Sequence, residues 1–185
     1  MKKNKKETDL WVYVLLLTTL VILTESLKTY TFRIFAVDLT YSLLLLPIAY
    51  LLIGMIAKKF DYKKAVAAIA ISAVVFVSFS FILAYFIDGA FILRSISGEF
   101  CSYVLSAFTF LTIYVFLLNN TESPQVLVSI TYLFSLVVYY MFYTIIYLNM
   151  MMFDTYWVGY ILTLIIQFPI CIVLSILDNK TSRGQ

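Results

Sequence analysis

Histidine is absent from this chain, and with it the commonest metal ligand and the commonest general base. Cysteine appears only as Cys101 and Cys171, each inside an apolar run. The topology derived below puts the two at depths far more than the roughly 7 Å Cα limit of a disulfide apart, so both read as packing residues. Five glycines include no G-x-x-x-G spacing for close helix dimers. The phosphate loop G-x-x-x-x-G-K followed by Ser or Thr is missing, as are H-E-x-x-H, C-x-x-C and G-x-S-x-G. The chain is therefore expected to be no enzyme and to need neither metal nor cofactor. Charge is scarce too: Asp, Glu, Lys and Arg make up 12% of the residues, against about a quarter in soluble domains.

What replaces them is apolar. Residues of the set AVILMFWYC account for 63% of 185, more than a soluble globule of this size could hide. A lipid bilayer as solvent removes the difficulty, because apolar side chains may then face outward. Six windows approach the ~20 residues that a helix needs to cross the hydrocarbon core: 10–27, 34–57, 64–87, 99–118, 125–148 and 156–177. Their short connections make neighbouring helices antiparallel, and no composition shift or internal repeat marks a second domain. The expected fold is all-α, a single integral membrane bundle of six transmembrane helices spanning 1–185. The lysines at 2–6 followed by an apolar stretch could pass for a secretory signal. The stretch is long and no small-x-small cleavage site follows it, so an uncleaved first helix is expected.

Basic residues set the orientation. Lys2, Lys3, Lys5, Lys6, Lys58, Lys59, Lys63, Lys64, Lys180 and Arg183 fall on one side, ten of the thirteen; Lys28, Arg33 and Arg94 fall on the other. Both termini are thus expected in the cytoplasm, with the chain a multi-pass protein of the cell (plasma) membrane. Clusters of this kind are topology signals, not a basic face, so nucleic acid is not an expected partner. The lipid bilayer is.

Polar residues inside apolar windows are the candidates for chemistry. Glu25, Asp38 and Glu99 each have apolar sequence beyond them toward the membrane, whereas Asp88 and Asp154 read as solvated loop charge. Glu99, Ser102, Ser106 and Thr109 form a stripe at helical spacing, with Tyr103 beside it; serine and threonine can also bond back to their own helix. In the fifth window Tyr132, Ser135, Tyr139, Tyr143 and Tyr147 share a face, opposite Phe134, Val137, Met141, Ile145 and Leu148. Tyr139 and Tyr143 lie too deep for an interfacial belt, so their hydroxyls need partners within the bundle or in a wet cavity. Gln167, two residues before Pro169, must likewise face protein or water. Each of these features serves a solute site or serves as interhelical glue. On the third window Ala65, Ala68 and Ser72 provide a small-residue packing surface.

Leu46-Pro47-Ile48-Ala49-Tyr50-Leu51, continuing to Phe60-Asp61-Tyr62-Lys63-Lys64-Ala65, resembles the queuosine precursor transporters, the vitamin-uptake-transporter-like family. Arg94 with Tyr103 nine residues on, Phe142-Tyr143-Thr144 and the late Pro169 fit the same pattern, over about residues 28–178. Gly54, Lys58, Phe110, Val138 and Gln167 stand where that family has acidic residues. The resemblance implies a six-helix fold and uptake of a small solute more strongly than it implies the queuosine-precursor substrate. On it, Glu25, Asp38, Arg94 and Glu99 would form a charged outer mouth, with Ser102, Tyr103, Tyr139, Tyr143 and Gln167 lining a cavity for a polar heteroaromatic solute. Homo-oligomers or separate energising subunits are possible partners. The competing expectation is a non-transporting scaffold or accessory protein, and a third is an intramembrane enzyme built on paired carboxylates.

Reporter fusions test the orientation. One placed at residue 185 and one in the 89–97 segment are expected to report opposite sides of the membrane.

Overall fold

The computed structural model describes residues 2–27, 30–34, 37–87, 92–119, 125–148 and 153–183. Six helices are present: α1 (Lys2–Ser26), α2 (Ser42–Lys59), α3 (Tyr62–Ile87), α4 (Ile92–Asn119), α5 (Gln125–Tyr143) and α6 (Phe153–Arg183). Five of them contain a stretch long and apolar enough to cross a membrane: Glu7–Ser26, Tyr62–Leu83, Ile96–Asn119, Val126–Ile146 and Val158–Asp178. The protein is thus a helical membrane protein. α2 is the exception.

The window 34–57 was expected to be one helix, and its first third is not. Two short antiparallel strands, β1 (Thr31–Ile34) and β2 (Val37–Thr40), precede α2. The register pairs Thr31 with Thr40 and Arg33 with Asp38, and it pairs Phe32 with Leu39 and Ile34 with Val37. Polar residues thus face polar across the ladder and apolar face apolar. That period-two alternation, rich in β-branched and aromatic residues, suits a strand and defeats a helix. What remains of the window is an 18-residue helix, roughly 27 Å long at 1.5 Å per residue and a little short of a ~30 Å hydrocarbon core.

α2 tolerates this because it is central. It contacts each of the other five helices, and none of its described side chains is exposed. The other five carry the exposed apolar residues: Trp11 and Leu15 on α1, Val74 and Phe81 on α3, Phe116 on α4, Phe134 and Met141 on α5, Ile165 and Val173 on α6. These outward faces are what a lipid solvent requires. The buried residues of all six helices join in one cluster around Tyr50, Ile53 and Ile56 of α2. Ala65 and Ala68 of α3 are fully buried in it. Lipid tails are as apolar as leucine, so close packing and interhelical hydrogen bonds hold such a bundle together.

Side-chain contacts fix the antiparallel order. Lys59, ending α2, reaches Asp9 near the start of α1 at 3.8 Å and lies over the Tyr13 ring at 5.2 Å. Ser129, near the start of α5, meets Ser175 near the end of α6 at 2.8 Å. Lys58, also ending α2, lies 3.4 Å from Asp178 near the end of α6, so the start of α1 and the end of α6 lie at one end of the bundle. α4 starts two turns earlier than the expected 99–118, and α6 runs past 177 to Arg183. α5 ends in a five-residue π-helical turn, Thr144–Leu148, a feature often found at functional sites.

Gly54 marks the tightest approach in α2. A Cβ there would lie 3.1 Å from the Tyr114 ring and 3.5 Å from Phe110. Gly54→Ala gains roughly 1 kcal/mol of helix propensity and loses a similar amount to this contact. Gly54→Val overpacks by about 1–3 kcal/mol. Thermal melts in detergent should place the alanine variant near wild type and the valine variant clearly below it.

Candidate functional site

α4 presents Glu99, Tyr103, Ser106, Phe110 and Tyr114 along one inward face, and all five are buried. Glu99 was expected to open its helix, where the positive end of the helix dipole could account for it. With α4 beginning at Ile92 it lies in the third turn instead, beyond the reach of that dipole. It is only 4% exposed. A carboxylate at that depth requires polar surroundings.

Glu99 also borders a small cavity at this end of the bundle. It is lined by Val21 and Thr24 of α1, Leu46 and Ala49 of α2, Phe76 of α3, Glu99 and Tyr103 of α4, and Tyr139 of α5. Its volume of about 20 Å³ admits a water. Tyr103 Oη meets Ser72 Oγ at 2.8 Å. Ser72 spends its own proton on the Ile69 carbonyl at 2.9 Å, so Tyr103 is the donor of that pair. The Tyr139 ring stacks in parallel on Tyr143 at 6.2 Å. Carboxylate, hydroxyl and flat ring meet here.

The expected site residues divide. Glu99, Tyr103 and Tyr139 line the cavity together, and Tyr143 joins through its stack. Ser102 is buried, yet its hydroxyl donates to the Gly98 carbonyl at 2.6 Å. Ser106 and Thr109 bond back to Tyr103 and Leu105 in the same way. The polar stripe is thus largely satisfied within its own helix. Gln167 is fully buried but does not line the cavity, to which α6 contributes nothing; its Oε1 accepts from Tyr140 Oη at 3.0 Å. Glu25 lies half-buried in the last turn of α1. Asp38 falls in β2 and Arg94 in the first turn of α4. Asp88, and the side chains of Asp38, Arg94, Tyr147 and Asp154, lie outside those described.

A second polar cluster occupies the opposite end. Asp178 of α6, 5% exposed, accepts a hydrogen bond from Tyr114 Oη on Oδ2. Lys58 Nζ lies 3.4 Å from Oδ1 and donates to the Asp178 carbonyl at 3.1 Å. Sequence reasoning missed this cluster. Lys58 reads as a topology signal, and Asp178 follows Leu177 at the edge of the apolar window. The available signal was spacing: Gln167, Cys171, Leu174 and Asp178 repeat at four, three and four on one face of α6, and all are buried. Tyr140 was missed beside Tyr139 because adjacent tyrosines both fit an inward arc.

Between the clusters lies an aromatic layer. Phe110 stacks on Tyr50 at 5.3 Å and on Tyr114 at 5.2 Å, and tilts against Tyr132 at 4.8 Å. Tyr50 and Tyr132 are fully buried, and neither hydroxyl makes a hydrogen bond of ordinary geometry among the described residues. Ser106 lies beside Tyr50 and gives its proton to the Tyr103 carbonyl, so toward the Tyr50 hydroxyl it can act only as an acceptor.

Comparison with protein-family models, curated proteins and solved structures finds no match to this chain. Chemistry at the site is therefore argued from its residues. Among those described, no three of His, Cys, Asp and Glu converge as a metal site would require. The cavity can accept N–H donors on a carboxylate and hold a ring against tyrosine faces.

The two lysines that end α2 should differ in weight. Lys58→Met takes a cation from a buried carboxylate, which costs at most about 3–5 kcal/mol. Lys59 and Asp9 are 33% and 43% exposed, so Lys59→Met costs less than about 1 kcal/mol. Melting midpoints of the two variants should separate accordingly, and adding Asp178→Asn to Lys58→Met should recover part of the loss.

Proposed function

We propose that this protein is a membrane carrier, or the substrate-capture subunit of one, for a small, flat, polar heteroaromatic solute of the queuosine-precursor or vitamin-like kind. The observation that carries the reading is Glu99, a buried carboxylate that opens into a cavity shared with Tyr103 and Tyr139. Such a group suits a ring that brings N–H donors: the carboxylate and hydroxyl oxygens accept them, and the parallel Tyr139–Tyr143 pair offers faces for stacking. The resemblance to the queuosine precursor transporters supports the same solute class. The expected cytoplasmic termini put the Glu99 end outside, where uptake begins. A 20 Å³ space admits no ring, so a solute enters only as the helices part, and release requires the opposite end to open. With no nucleotide-binding loop in the sequence, energy comes from the solute gradient, an ion gradient or partner subunits.

A second reading, a scaffold or accessory protein, draws on the same tight interior and on the serines that bond within their own helices. Uptake separates the two. Cells making the protein should accumulate tritiated guanine, a purine-like probe, or tritiated pyridoxine, a vitamin-like one, faster than cells without it. Equal rates for both probes favour the scaffold.

Glu99→Gln keeps shape and removes charge. It is expected to lower solute affinity by at least about tenfold, the effect of one charge-assisted hydrogen bond. Asp154→Asn should leave uptake unchanged. A variant pair with equal losses would remove Glu99 from the site.

A further inference from the structure

The two ends of the bundle are built alike. At one end Glu99 is grouped with Tyr103 of α4 and Tyr139 of α5. At the other, Asp178 accepts from Tyr114 of α4, and Phe110 joins the Tyr114 ring to that of Tyr132 on α5. Tyr103 and Tyr114 are eleven residues apart, and Tyr132 and Tyr139 are seven, two turns of one helix face. The two groups therefore lie roughly 10–16 Å apart along the bundle at 1.5 Å per residue. Phe110 and Tyr50 stack between them as flat rings.

We propose that Asp178, Tyr114 and Tyr132 form a second station for the same flat, donor-bearing heterocycle, held closed by Lys58 until the solute arrives. This rests on the carrier reading above. Two observations point to a ligand. The Tyr132 hydroxyl is fully buried, on a ring that packs against Phe110 in the same aromatic group, and has no hydrogen-bond partner among the described residues. A buried hydroxyl without a partner is a burden on the resting fold, and one that a donor or acceptor on a solute relieves. The second is the looseness of the lysine contact. Lys58 Nζ is 3.4 Å from Oδ1, longer than a good charge-assisted bond, while its closer contact is the Asp178 carbonyl at 3.1 Å. Solute N–H groups can take the place of the ammonium on the carboxylate. Lys58 is already 24% exposed at the helix end, so once displaced it extends into water on its apolar stem. Solute arrival then undoes the tie between α2 and α6 that closes this end.

Tyr132→Phe tests the station cleanly, because that hydroxyl has no hydrogen-bond partner among the described residues. In proteoliposomes, with whichever of tritiated guanine and pyridoxine the wild type carries, the variant should melt at or above the wild type, since it loses only an unsatisfied buried group. Its maximal uptake should fall about tenfold, the loss of one hydrogen bond to a bound solute. Its half-saturating concentration should stay within about twofold, because the Glu99 group that sets entry is intact. Unchanged maximal uptake overturns the station and leaves the carrier reading standing. A raised half-saturating concentration, as expected of Glu99→Gln, assigns the hydroxyl to the first site and also overturns the station. A clear drop in melting midpoint shows the hydroxyl to be structural and overturns it too. Absence of uptake by the wild type removes both readings together.

Discussion

A hydrocarbon solvent offers no hydrogen bonds, and every polar group this chain carries into the bilayer must find its partner within the bundle. Most do so locally. Thr131, Ser135, Thr144 and Thr163 each donate to the carbonyl four residues earlier, and Ser72 and Ser106 to the carbonyl three earlier. A hydroxyl satisfied in this way behaves almost as an apolar side chain, which is how a chain with so many serines and threonines can remain a membrane protein. The longer polar groups cannot reach their own backbone. Tyr103, Tyr114 and Tyr140 therefore bond across helices, to Ser72, Asp178 and Gln167. These three bonds tie α4 to α3, α4 to α6 and α5 to α6. Tyrosine length makes most of these ties, and where backbones come close a serine pair, Ser129 with Ser175, joins α5 to α6 as well.

Much of the architecture was readable because apolar run length is a strong signal. Five of the six expected windows appear as helices long and apolar enough to span. The sixth was misread at its start, where the sequence is apolar enough for a helix and alternating enough for a strand; Val37–Thr40 pair with Thr31–Ile34, Arg33 opposite Asp38, as strands do. The site was readable only in part. A carboxylate flanked by apolar sequence drew attention to Glu99, and tyrosine spacing to Tyr139. Asp178 and Lys58 escaped, because at the margin of a window a buried charge and a solvated one look the same in sequence. Burial at such a margin depends on how far the neighbouring helices extend. α6 extends to Arg183, and that extension carries Asp178 onto the end of α2.

Gly54, Lys58 and Phe110 come together around Tyr114. Gly54 provides the space against the Tyr114 ring, Phe110 stacks on that ring, and Lys58 meets the carboxylate that the Tyr114 hydroxyl bonds. Asp178 is the one carboxylate described in this cluster, and Lys58 brings a cation to it.

α2 gathers these threads because of where it lies. It alone has no described side chain facing outward, so its movement would be opposed by packing with neighbours and not by lipid. Pro47 removes one backbone bond near its start, and Gly54 leaves its middle without a side chain. Its end is held by two adjacent lysines pulling toward different neighbours, Lys59 toward α1 and Lys58 toward α6. The first pair is exposed on both sides, while the second engages a buried carboxylate. Releasing Lys58 removes one tie between α2 and α6, while the Tyr50–Phe110 stack and the close approach of Gly54 to Tyr114 still hold α2 against α4. In the carrier reading, release there would loosen the Asp178 end of the bundle and leave the Tyr103–Ser72 bond between α3 and α4 untouched.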